Sequence, residues 1–247
     1  MKTTIKATGR FFQLLLLFCT ATLLTACEDE NIQPIDDPAM TDEQAAEIVE
    51  AALIADAEGL TAELADASDL AAATAERDLV PCGTPQDSSF SVNYTGDRGS
   101  VDYSGNVSWT PLCGQGGLLR SINFSRTSAG TYTTPRLNSD DSANGDWTID
   151  NITGGTAYVI NGTYVRSGQQ TVTTGRRTSD FTTTLNFEVE SLSINKGNRR
   201  IDSGIASFSL TGTGSNGQNV DLDGQVIFQG EGAALIIING NQFELSL

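Results

Sequence analysis

The chain contains no histidine among its 247 residues. That excludes Ser-His-Asp and Cys-His nucleophile activation, histidine general bases and every histidine metal site. Carboxylates, thiols and aromatic rings remain. Glycoside hydrolysis by a carboxylate pair needs only Asp or Glu across a suitable gap. Glu188 and Glu190 are two residues apart, but in a strand that alternation makes them solvent-facing charges. Asp140, Ser142 and Asn144, followed by Gly145, match part of an Asp-x-Asx-x-Asx-Gly calcium loop and are the metal candidates. The twelfth position is Asn151 instead of a bidentate Glu, so the segment reads as a loop of turn-forming polar residues. Trp109 and Trp147, with Tyr94, Tyr103, Tyr132, Tyr158 and Tyr164, are the candidates for a ligand platform that stacks sugar rings or a partner chain. Against this, Val101, Tyr103, Val107 and Trp109 all fall on odd positions, which lines them on one strand face as core. Phosphate-loop and dinucleotide glycine motifs are missing, and the glycines read as turn residues. No catalytic residue is assigned and no cofactor is expected.

The four cysteines divide by position. Lys2, Lys6 and Arg10 precede an apolar run from Phe11 to Phe18 and small residues from Cys19 to Ala26. This is the order of a secretory signal, with an apolar core too short for the roughly 20 residues of a spanning helix. The run ends in Leu24-Thr25-Ala26-Cys27, which resembles the lipobox of bacterial lipoproteins. The resemblance implies a signal peptide over 1–26, cleavage before Cys27, and acylation of that thiol with palmitate-type chains. Each buried methylene contributes about 0.8 kcal/mol, so several chains give lasting membrane attachment where one gives little. The following Glu28-Asp29-Glu30 is similar to the export signal of surface lipoproteins in the Bacteroidota. It implies an outer-membrane protein on the cell surface in preference to the periplasmic face. Cys19 leaves with the leader and Cys27 carries lipid, so Cys82 and Cys113 remain. In an oxidising compartment this pair is expected to form a disulfide, contributing roughly 3 to 4 kcal/mol through loop closure. Asp141-Ser142-Ala143 resembles the O-glycosylation tripeptide of exported proteins in the same group, which would place a sugar on Ser142.

Charge is distributed unevenly. The net charge is -17, and removing the leader takes away three bases and no acid. Residues 28–78 hold 16 Asp and Glu against the single Arg77, so the acidic character is assigned to a stalk. Such a stalk repels phosphate backbones, and nucleic acid is excluded as a partner.

The elements that must position these groups fall into zones. Residues 27–40, with Pro34 and Pro38, read as a lipid-anchored acidic tether. Residues 41–78 form an acidic amphipathic helical segment, opened by a capping box at Thr41 and Gln44 and weakened or divided at Gly59. Its apolar stripe packs on its own domain or serves as a spacer. From 79 to 247 the texture is Thr, Ser, Gly, Val, Ile and aromatic residues with period-two alternation. Phe181, Leu185, Phe187 and Val189 fall on one face, and Thr182, Thr184, Asn186 and Glu188 on the other. Asn161-Gly162, Asp223-Gly224 and Asn239-Gly240 signal tight hairpins, with a further turn at Lys196-Gly197-Asn198. The expected fold is mainly β, about ten short antiparallel strands in a sandwich or a curled, partly closed sheet.

This texture is similar to β-rich lipoproteins of the Bacteroidota. The expected function is a non-catalytic binding, adhesion or structural module of the cell envelope. It would be held to the membrane by its N-terminal lipid and meet a glycan or a cell-envelope protein. The alternative is a glycan-directed hydrolase using an Asp/Glu pair.

Overall fold

Period-two alternation over most of the chain requires one dry and one wet sheet face, and the computed structural model shows that arrangement. It describes residues 39–77, 81–96 and 99–247. The expected signal peptide, Cys27 and the expected tether up to 38 lie outside the described residues. Ten antiparallel strands form a single sheet in sequence order: β1 (Gln86–Gly96), β2 (Gly99–Cys113), β3 (Leu119–Thr133), β4 (Leu137–Asp150), β5 (Ala157–Thr174), β6 (Arg177–Asn195), β7 (Ile201–Gly214), β8 (Asn219–Gly230), β9 (Ala233–Ile238) and β10 (Asn241–Ser246). The sheet is not closed into a barrel. Of the two expected arrangements, the single curled sheet is the one formed.

Two helices supply the second layer. α1 (Asp42–Leu53) opens with the expected capping box: the Thr41 hydroxyl accepts from the Gln44 amide, and the Gln44 side chain accepts from the Thr41 amide. α2 (Leu60–Ala75) follows a single 3-10 turn. The break falls at Gly59, where a Cβ would strike the Ala52 carbonyl, so only glycine permits the return past the end of α1. α1 packs on β5 at one side and on β9 and β10 at the other, while α2 packs on β3 and β4. Strands β5 and β9 stand about 19 Å apart in a flat sheet, while a helix is only about 10–12 Å across. The sheet therefore curls around α1, and Val49, Leu53, Leu60 and Leu64 fill the trough. Each such buried side chain contributes about 1.5–3 kcal/mol.

Helices and sheet form one unit, Ala39–Leu247. Of the two roles expected for the apolar stripe of 41–78, packing on its own domain is the one formed, so the helical segment and the β zone fold together. Met40, assigned to the tether from the sequence, is buried in this unit.

Two expected hairpins are likewise corrected. Asn239-Gly240 does turn, pairing Ile238 with Asn241 and Ile236 with Phe243, and the chain also turns after Asn195. Asn161-Gly162 and Asp223-Gly224 instead lie inside β5 and β8. Their glycines face aromatic residues across the ladder: Gly162 opposes Trp147 and Gly224 opposes Phe208. A Cβ at Gly224 would enter the Phe208 ring, and one at Gly162 would strike the Asp146 carbonyl and crowd the Trp147 ring. Gly105 opposite Phe90 and Gly130 opposite Tyr103 repeat the arrangement. Glycine thus supplies space for a neighbouring ring in the curled sheet, a second use besides turning.

Candidate functional site

Three charged clusters join the helix layer to the sheet. Arg166 on β5 is buried, donates through Nη1 to the carbonyls of Ala51 (2.8 Å) and Ala57 (3.2 Å), and pairs with buried Asp141 on β4 at 2.9 Å. Those carbonyls end α1 and the 3-10 turn, where helical C=O groups lack partners and a cation is favoured. Tyr103 donates to Asp141 at 3.0 Å and accepts from Arg166, and Ser139 donates to the other oxygen of Asp141. Burial, above all, pushes the Tyr103 hydroxyl far up, so it stays a neutral donor.

Arg126 on β3 is the second junction. Its Nη2 donates to Glu58 at 2.6 Å, its Nε lies 3.5 Å from Asp66, and its guanidinium stacks 4.0 Å over the Phe90 ring. The Asp66 contact is an ion pair without hydrogen-bond geometry, since Nε has no hydrogen-bond partner. In the third junction, Trp147 donates its indole N–H to Glu63 at 2.7 Å. A side chain at Gly145 would occupy the place of the Glu63 carboxyl. Burial pushes Glu63 up to about 7, against the pull of the Trp147 hydrogen bond and Arg126. Glu58 and Asp66 of the acidic segment are therefore counter-charge for buried Arg126.

Where the helix layer stops, a groove of about 540 Å³ opens between the 3-10 turn and the outer strands. Its floor and walls are Val92 and Tyr94 of β1, Val101 of β2 and Tyr132 of β3, with Asp56 and Glu58 on the helical side. Tyr94 is 63% exposed, while Tyr132 is half-buried. Burial, then the negative charge of Asp56 and Glu50, pushes the Tyr132 hydroxyl up. Glu58 is engaged with Arg126, which leaves Asp56 as the exposed carboxylate at the rim. The groove offers two phenol rings, aliphatic walls and a hydrogen-bond acceptor.

The residues singled out in the sequence lie mostly elsewhere. Trp147 is 3% exposed and serves the core, which corrects its place in a ligand platform. Trp109 is half-buried and packs against the same core, as its odd-numbered neighbours indicated. Asp140, Ser142 and Asn144 are exposed along β4 instead of forming a loop. Their every-other-residue spacing is the strand's own period, and Asn144 donates to Asp146 at 3.0 Å. Among the described residues, no group of three or more Cys, Asp or Glu side chains could hold a metal ion. Ser142 is accessible, whereas Asp141 and Ala143 of the glycosylation tripeptide face inward. Glu188 and Glu190 are exposed on β6; Glu188 borders a shallow trough of about 680 Å³ with Asp223 and Gln225. Cys82 and Cys113 form the expected disulfide, with Cα atoms 5.6 Å apart. It staples the open end of the β1–β2 hairpin.

Tyr94 and Tyr132 are among the aromatic residues expected in a platform, but sequence reasoning missed Asp56 and the grouping of the three. The signal available was the alternation of Phe90, Val92 and Tyr94; what hid the site was the distance in sequence between β1 and the 3-10 turn. Compared with known proteins, the chain matches no family model, no curated protein and no solved structure.

Proposed function

We propose that this protein is an exported lipoprotein, anchored through lipid on Cys27 to the outer membrane and facing the cell surface. Its helix-backed sheet serves there as a non-catalytic binding module for a glycan or a cell-envelope protein. The observation that carries the binding reading is the groove of about 540 Å³ beside the exposed Tyr94 ring. Phenol rings stack on sugar faces or apolar side chains, and a carboxylate such as Asp56 accepts from hydroxyl or amide donors. A non-catalytic role is supported by how the buried acids are used: Glu58 and Glu63 join helices to sheet, and Asp141 is the counter-charge of Arg166 within the sheet.

The test is binding of the protein to an array of envelope glycans, repeated with Tyr94→Ala and Asp56→Asn. Binding that both changes weaken supports the groove. Binding untouched by either places the site elsewhere, and glycan cleavage abolished by Glu188→Gln would establish the hydrolase instead. Anchoring is read separately: cells fed radioactive fatty acid should label the native protein and leave Cys27→Ser unlabelled.

A further inference from the structure

β1 is an 11-residue strand paired on one side only, with β2. Among the described residues, no strand lies beyond it. Alternate residues of such a strand direct N–H and C=O outward, here about five of each. Native sheets blunt their edges with short strands, proline, charged side chains, bulges or a covering element. The opposite edge uses several of these: β10 has six residues, carries Glu244 and is backed by α1. β1 contains neither proline nor a basic residue, its register with β2 runs without a bulge, and its one charge is Asp87 near the start. Beside the free edge, Phe90 and Val92 are only half-covered and Tyr94 is exposed.

We propose that the free edge of β1 receives β1 of a second copy of this chain, antiparallel about a two-fold axis at Ser91. In that register Ser91 faces Ser91, Phe90 faces Val92, Ser89 faces Asn93 and Asp87 faces Thr95. The match is what singles out a second copy. Although the chain carries a net charge of -17, no like charges oppose one another across the new ladder. Residues directly opposite each other project from the same face, so Phe90 and Val92 of both copies form one apolar stripe. Such a contact is isologous: it closes on itself and leaves no β1 edge free for further growth. It stands independently of what the groove binds.

The experiment uses the full-length protein in cells carrying Ser91→Cys, mildly oxidised and run without reductant. Directly opposed residues have Cα atoms about 5.5 Å apart, within disulfide range. A band at twice the monomer mass is expected. Ser207→Cys, on the exposed face of β7, controls for chance collision and should give none. Ser91→Lys places like charges on the axis and should convert the dimer mass that light scattering reads for the detergent-solubilised native protein to the monomer mass. Ser91 is exposed, and continued protease resistance of each variant would verify its folding. Three results would overturn the proposal: no dimer with Ser91→Cys, equal dimer with Ser207→Cys, or a cross-link to a different protein.

Discussion

At the β10 margin of the sheet, Asp42 at the start of α1 accepts from Asn239 at 2.9 Å and from Asn241 at 2.6 Å, tying the last hairpin to the helix layer. At the β1 margin the helix layer reaches the sheet through Arg126, stacked over Phe90, and through Arg77, which donates to Gln86 at 3.0 Å, and the Cys82–Cys113 disulfide adds a local covalent tie. A margin held by a packed layer gains from burial and from every polar junction beneath that layer. A margin held by a staple keeps its ladder but leaves its apolar face and its backbone edge available. The groove and the free strand both lie on the stapled side, where the helix layer covers less of the sheet.

The largest expected effect comes from stripping the covered side of its fastening. Arg166→Ala leaves Asp141 buried without its cation and the carbonyls of Ala51 and Ala57 without their donor. A loss of about 3–5 kcal/mol is expected in urea unfolding, with protease cleavage appearing first in 39–77.

Next, Cys82→Ser with Cys113→Ser should cost about 4 kcal/mol for a sequence separation of 31 residues. Amide exchange should quicken in β1 and β2 while the clamped β9–β10 hairpin keeps its protection. Equal loosening at both margins would show that the disulfide supports the whole sheet.

The third effect is in pH. Glu63 ionises at about 7 in the fold against an ordinary 4.5, because burial disfavours its charge. Its contribution to stability is complete below 4.5, falls as pH rises through 7, and amounts to about 3 kcal/mol. Burial also raises Glu47, Glu50 and Asp66, which adds to the same slope. Glu63→Gln keeps an oxygen for the Trp147 N–H and should flatten the native protein's decline between pH 5 and pH 8. An unchanged slope would remove Glu63 from this role.

The smallest effect is Thr41→Ala. Losing the capping box at the covered margin should cost about 1 kcal/mol and raise exchange in the first turn of α1 without altering β1.

Local rules were legible where partners lie close in sequence. The capping box needs three residues, the Asn239-Gly240 turn needs four, and the inward face of β6 follows from alternation alone; all three stand in the structure. The same dipeptide logic failed at Gly162 and Gly224. A glycine required by an opposing ring looks identical in sequence to one required by a turn, and Trp147 and Phe208 become their neighbours only once strands pair. The candidate site was legible only as two of several aromatic residues, Tyr94 and Tyr132, and its grouping was hidden for the same reason. Asp56 and Tyr132 are 76 positions apart, and only the docking of the helical segment brings them to one groove.

By itself the sequence determined the helical segment, the antiparallel β class, the cysteine pair and the sidedness of the strands, because propensity and alternation act over a few residues. Tertiary structure decided that the acidic segment becomes the second layer of the fold, which carboxylates neutralise Arg126 and Arg166, and which edge is left open. Those outcomes depend on burial and on charges meeting in a low-dielectric interior, and such contacts join residues that no local pattern relates.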